Sequence, residues 1–205
     1  MSLAIVVAGC WSGGAIAMPL PEAFTVEAKV GLLWHNRETV KQAGGRPKLR
    51  SFTSDETATF RLFRVGKQLV VSMPDFGSGA VFTEGKERVK NAFRVGDGQY
   101  ACKKLDQEAG AVGQTCFMYQ TQGDTLVLSQ RYIGDVYEST GEYEKVFRIR
   151  VAAGDCTASL ASGRSQLSHD GGGMIALPGM QGSETVATAQ FNGSSCRLLK
   201  GRKAF

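Results

Sequence analysis

The chain has 205 residues, of which 42% are hydrophobic and 21% charged, and its formal net charge is +5. That composition excludes a disordered chain, because there is enough apolar surface to build a core, and the length fits one large or two small domains. The mild positive balance favours acidic partners without selecting one, while glycine at 26 residues against proline at 5 points to many tight turns between extended segments, hence to an all-β chain.

The first 18 residues, MSLAIVVAGCWSGGAIAM, hold an apolar run from Leu3 to Gly9 that is far shorter than the roughly 20 residues needed to span a bilayer as a helix. The run matches the apolar core of a secretory leader, and Ala15-Ile16-Ala17 is an A-x-A cleavage signature followed by the turn-prone Met18-Pro19-Leu20-Pro21. No Lys or Arg precedes the run. Val7-Ala8-Gly9-Cys10 resembles a bacterial lipobox, in which the cysteine receives a lipid and becomes the mature N-terminus, which makes Cys10 a candidate lipid attachment site in place of a cut after Ala17. The competing reading is an apolar N-terminal strand of a cytoplasmic protein. Cysteine usage favours export: of the five cysteines at 10, 102, 116, 156 and 196, removing or lipidating Cys10 leaves an even set.

Beyond the junction the chain alternates. Phe24, Val26, Ala28 and Val30 fall on one face of a half-buried strand. Residues 36–58 are polar, contain Gly44-Gly45 and Pro47, and are expected to form a loop with one helical turn. A hairpin is expected around Gly66-Lys67, a turn at Gly96-Asp97-Gly98, and another at Gln122-Gly123-Asp124 with Leu126 and Leu128 sharing a face. A turn at Thr140-Gly141 precedes the clearest strand, with Phe147, Ile149 and Val151 inward and Arg148 and Arg150 outward. Ala153-Gly154-Asp155 turns again, and Asn192-Gly193 is a strong short hairpin signal that also accounts for the formal Asn192-Gly193-Ser194 glycosylation acceptor. Turn signals spaced by about ten residues predict about nine to eleven short strands in a single antiparallel β-barrel or β-sandwich. The domain covers 21–205, after a leader and junction over 1–20.

Cys102, Cys116, Cys156 and Cys196 are the best-supported chemistry. With no CxxC spacing and only His35 and His169 to supply imidazole, a zinc site is a poor reading, and neither a metal nor another cofactor is expected. Sequence order favours Cys102 with Cys116 and Cys156 with Cys196, although four cysteines allow three connectivities. Such bridges stabilise by about 3 and about 4 kcal/mol in the chain-entropy account.

No catalytic constellation emerges. Ser168, His169 and Asp170 are the residue types of a triad, but three sequence neighbours do not line up as nucleophile, base and orienter. Gly171-Gly172-Gly173 lacks the lysine and hydroxyl of a phosphate loop and reads as a connector. After it, Met174, Ile175, Leu177 and Met180 place apolar, adaptable side chains in a Gly/Pro-rich loop and are the candidate binding loop; the alternative is a flap over one end of the core.

Asp135, Glu138, Glu142 and Glu144 gather beside Tyr132, Tyr137 and Tyr143, as carboxylates around a sugar would, though a solvated hairpin tip has the same composition. Basic residues at Arg46, Lys48 and Arg50, at Lys86, Arg88 and Lys90, and at Arg197, Lys200, Arg202 and Lys203 suit an anionic envelope polymer. No nucleic-acid module motif is present, and the membrane enters only through an anchor at Cys10. The reading is an exported bacterial envelope or secreted β-domain that acts by binding a protein or polymer, in the manner of an inhibitor module. The alternatives are a carboxylate-based hydrolase of envelope polysaccharide and a structural lipoprotein anchored at Cys10.

Overall fold

A computed structural model of the chain describes residues 19–72, 81–84, 87–90, 92–104, 112–136, 139–152, 154–170 and 180–199. Alternation of apolar and polar residues there yields twelve strands: β1 (Ala23–Gln42), β2 (Lys48–Val65), β3 (Gln68–Ser72), β4 (Val81–Glu84), β5 (Glu87–Lys90), β6 (Ala92–Gly96), β7 (Ala101–Lys104), β8 (Val112–Gln122), β9 (Thr125–Val136), β10 (Ser139–Ala152), β11 (Asp155–Asp170) and β12 (Met180–Leu198). Ten of them make one antiparallel sheet in the order β6-β3-β2-β1-β12-β11-β10-β9-β8-β7, and β4 and β5 pair separately. The sheet curls into a nearly closed barrel, so the fold is the all-β barrel that the turn spacing predicts.

Because β1 pairs with β12, the first and last described strands meet inside the wall, and the seam falls between β6 and the β7–β8 pair. The seam is closed without a regular ladder. Asp97 bridges Tyr119, the Gly98 amide donates to the Tyr119 carbonyl at 2.8 Å, and the Phe93 and Phe117 rings sit 4.7 Å apart. The Cys102–Cys116 bridge joins directly paired residues of β7 and β8, whose Cα atoms lie 4.0 Å apart. It staples the short last strand to its neighbour.

One end is packed shut. Val26, Val30, Phe60, Leu62, Leu69, Leu126, Leu128, Phe147 and Ile149 fill the interior there, with Phe60 and Phe147 in edge contact at 4.6 Å. The segment before β1 crosses this end: Leu20 is buried in the core and its amide donates to the Gly123 carbonyl, while the Glu22 carbonyl accepts from Gly66. The Tyr119 hydroxyl donates to the Lys67 carbonyl at 2.6 Å and pins the β2–β3 turn across the same end.

The wall divides between β11 and β12. Their ladder runs only from Arg164 to Asp170 and from Gly182 to Thr188. Below that, β11 pairs only with β10 and β12 only with β1, and the gap is spanned by the Cys156–Cys196 bridge and by the Ser194 hydroxyl donating to the Ala158 carbonyl at 2.6 Å. Both expected bridges are present, and together they point to an oxidising, non-cytoplasmic compartment.

Three local expectations are corrected. The polar stretch 36–58 is the far half of β1 and the near half of β2, with only residues 43–47 between them. Its residues are polar on both faces because this half of the barrel is open to water. The turn expected at Thr140-Gly141 lies within β10, where both residues pair across to β9 and β11. Asn192-Gly193 is a bulge inside β12: Gly193 takes φ 80°, and the β1 register skips from Val30 to Leu32 while β12 advances from Ser194 to Phe191. Opposite it stands Gly31, where a Cβ would lie 2.3 Å from the Asn192 carbonyl oxygen, so the bulge fits only against a glycine.

Candidate functional site

At the end away from the packed core the inward-facing residues become smaller or more polar on several strands, with Leu167 of β11, paired to Gly141, as an apolar exception. Gly113, Gly134 and Gly141 stand in register on β8, β9 and β10, and the next tier inward runs through Thr115, Tyr132, Tyr143, Ser165, Ala187 and Asn36. Gly163 on β11 is buried; a Cβ there would come within 2.6 Å of Ala189 Cβ, so the missing side chain is what lets Ala189 pack against this strand, with the Trp34 indole in ordinary contact distance at 3.6 Å. Large residues fill the packed end and small ones leave space at the other. The result is a cavity of about 510 Å³ in the open half, within the range of about 300–1,000 Å³ typical of small-molecule sites.

A cross-barrel polar cluster forms its floor. Lys145 on β10 reaches the Glu56 carboxylate on β2 through Oε1, and the Trp34 indole N–H donates to Oε2 at 2.8 Å. The two oxygens thus hold two partners from opposite walls. The ammonium lies 4.5 Å from the Tyr143 ring centroid and 5.7 Å from that of Trp34, near enough for cation–π attraction. Its side chain is only 7% exposed while that of Glu56 is 37% exposed, so the carboxylate is the member that meets the cavity water. Gln130, buried beside Lys145 in the β9–β10 ladder, donates its amide to the Tyr143 hydroxyl at 3.2 Å.

Tyr143 stacks on Tyr132 at 5.2 Å between centroids. Burial, then the Glu56 carboxylate and Tyr132, push its phenol well above the ordinary value near 10, which keeps it protonated and able to donate. On the adjoining wall the Asn36 amide donates to Ser54 Oγ at 3.1 Å. The cavity thus presents the Lys145–Glu56 ion pair, the Asp55 carboxylate at its edge, which accepts from the Asn192 amide at 3.3 Å, two carboxamides, three hydroxyls from Ser54, Tyr143 and Ser165, and aromatic walls.

The expected site residues are distributed differently. Cys102, Cys116, Cys156 and Cys196 lie in the wall as staples. Cys10, Met174, Ile175 and Leu177 lie outside the described residues. Met180 opens β12 opposite Gln42, so the connection carrying the candidate loop leaves and rejoins the sheet at the open end.

Glu142 and Glu144 alternate with inward Tyr143 and Lys145, and therefore face outward. Each is held by an arginine, Arg131 at 3.7 Å and Arg164 at 2.7 Å, beside an outer-wall depression of about 160 Å³. In this acidic stretch it is Tyr143 that lines the cavity, with Tyr132 stacked on it, and Tyr137 lies outside the described residues. Glu138 and the side chain of Asp135 are not among the described groups. Ser168 and His169 are consecutive in β11, paired with Glu184 and Ser183, and so point to opposite faces, unlike a loop and unlike a triad.

Of the basic clusters, Arg46, Lys48 and Arg50 stand exposed on the hairpin at the open rim, and Arg197 is paired with Glu27 at 2.7 Å. Lys86, Lys200, Arg202 and Lys203 lie outside the described residues.

Trp34, Asn36, Ser54, Glu56, Gln130 and Lys145 did not stand out in the sequence. The detectable signal was the inward parity continuing from Val30 through Leu32, Trp34 and Asn36, and from Phe60 back through Ala58 and Glu56 to Ser54. Compared with known protein families, curated proteins and solved structures, the chain matches none.

Proposed function

We propose that this chain is an exported binding protein that holds a small molecule in the open half of its barrel. The observation that supports this most directly is the contrast between the two halves: apolar packing closes one, and the other keeps a polar cavity of about 510 Å³ floored by the Lys145–Glu56–Trp34 cluster. A barrel that needed only stability would fill that half with large side chains, as it does the other. Binding accords with the absence of a nucleophile–base pair among the described cavity residues. The two staples suit a protein working where thiols are oxidised. On this reading Ala17 is the site of leader removal, or Cys10 the site of lipid attachment.

Native mass spectrometry of protein recovered from an oxidising compartment tests the first part, with Ser165→Leu as the comparison because its side chain would occupy the cavity. Retained small-molecule mass in the unaltered chain and its loss in Ser165→Leu, with the same circular dichroism, is the expected result. A ligand that survives Ser165→Leu, or none from any metabolite extract, overturns it. The intact mass, with and without reduction, tests the second part: loss of the first 17 residues or a lipid increment on Cys10 is expected, and a full-length unmodified chain counts against export.

A further inference from the structure

We infer that the ligand is an electrically neutral, hydroxyl-bearing molecule of the carbohydrate class, one or two sugar rings in size; this rests on the cavity being a small-molecule site.

Charge decides among ligand classes first. The Glu56 carboxylate is already engaged on both oxygens, by Lys145 and by the Trp34 N–H. An anionic ligand that sought the ammonium would compete with Glu56 for it and set a second negative charge beside that carboxylate, with Lys145 the single cation lining the cavity among the described residues. A cationic ligand meets the reverse obstacle at the floor, and the Asp55 carboxylate lies at the exposed edge, already accepting from the Asn192 amide. The Glu56 carboxylate and the Tyr143 and Trp34 rings are what an ammonium would seek, and Lys145 holds that place at 4.5 and 5.7 Å from the two centroids. The protein carries its own cation there.

A wholly apolar ligand would strip water from Ser165 and from the hydrogen-bonding capacity that Ser54, Asn36 and Tyr143 have left, and offer nothing in return. A neutral polyol avoids all three penalties. Its hydroxyls both donate and accept, as do the Ser54 and Ser165 hydroxyls and the Asn36 amide, and an oxygen of the ligand can accept a hydrogen bond from the Tyr143 phenol, which stays protonated. The C–H face of a sugar ring has the Trp34 and Tyr143 rings as walls, and the small side chains of Ser165 and Ala187 leave room for it.

The test uses the disulfide-intact protein carrying Trp11→Phe, so that Trp34 is the single tryptophan reporter. Trp34 fluorescence and calorimetry are followed against neutral hexoses and hexose disaccharides, the matched hexuronic acids, the matched amino sugars, and dodecanoate. The expected outcome is saturable binding of at least one neutral sugar and at least tenfold weaker binding of its uronic acid and amino-sugar counterparts. Ser54→Ala and Tyr143→Phe should each weaken the sugar about tenfold, and Ser165→Leu should abolish it. Binding of dodecanoate or of a charged sugar as tight as or tighter than any neutral one overturns the ligand class and leaves the small-molecule reading standing. Sugar binding unchanged by Ser165→Leu overturns the assignment to this cavity. If no sugar binds, the class is wrong, and the metabolite mass measurement decides separately whether the cavity holds anything.

Discussion

Removing the charge of Glu56 should harm the protein more than removing that of Lys145, although the two form one pair. The asymmetry comes from burial: the Lys145 side chain is 7% exposed and the Glu56 side chain 37% exposed. Glu56→Gln leaves an ammonium with no counter-charge in the described interior, whereas Lys145→Met leaves a carboxylate that still accepts from Trp34 and reaches water in the cavity. Breaking a fully buried pair costs about 3–5 kcal/mol, and an exposed pair contributes about 0–1 kcal/mol. Glu56 lies between these limits, so about 2 kcal/mol is expected for Glu56→Gln and under about 1 kcal/mol for Lys145→Met. For a chain of this size 2 kcal/mol lowers Tm by roughly 4–8 °C.

The double variant should recover most of the loss, because it leaves no buried charge at all. Urea unfolding with both disulfides intact measures all four proteins at pH 7, read as midpoint and slope. Additive single costs, or a Lys145→Met cost equal to that of Glu56→Gln, would refute the claim that the ammonium is the desolvated member.

Three further outcomes follow from the wall. Glu27 on β1 lies between Arg61 of β2 and Arg197 of β12 in one register row, at 3.0 and 2.7 Å; burial raises its pKa but the hydrogen bonds from the two guanidinium groups outweigh this and hold it below the usual carboxylate range. A depressed folded pKa means stability present above the unfolded value near 4.3 and lost as pH falls through the folded one, so Glu27→Gln should be less stable than the parent at pH 7 and converge with it in acid, as urea midpoints across pH would show.

Replacing Cys156 and Cys196 by serine should cost up to about 4 kcal/mol by loop entropy. Amide exchange should quicken along 155–163 and 189–198 while the laddered residues 164–170 stay protected, and uniform quickening would argue that the bridge does not guard a local division. Gly31→Ala should destabilise by about 1–3 kcal/mol by overpacking against the Asn192 carbonyl, where an unconstrained strand glycine would gain from the change; thermal unfolding gives the sign.

The packed half was legible in the residues because each strand there has one wet face and one dry face. Phe24, Val26, Ala28 and Val30, and again Phe147, Ile149 and Val151, alternate with polar residues, and the structure buries them as that alternation implies. The open half has water on both faces, so its strands lose the alternation and residues 36–58 read as loop. The cavity residues Asn36, Ser54 and Glu56 sat in that stretch. The same ambiguity hid Asn192-Gly193, whose turn chemistry serves a bulge as well as a hairpin; only the glycine facing it across the sheet, Gly31, distinguishes the two.

By itself, then, the sequence determined the strand-forming face, the positions of most turns and an even set of four cysteines, since these depend on neighbours within a few residues or on simple counting. Tertiary structure alone decided that Lys145 meets Glu56, 89 residues away, that Gly113, Gly134 and Gly141 stand side by side, and that a bridge closes a gap between β11 and β12. These depend on register around a curled sheet. A slip of one residue would turn Lys145 and Glu56 to opposite faces of the wall, and no local pattern encodes which residues of distant strands share its interior.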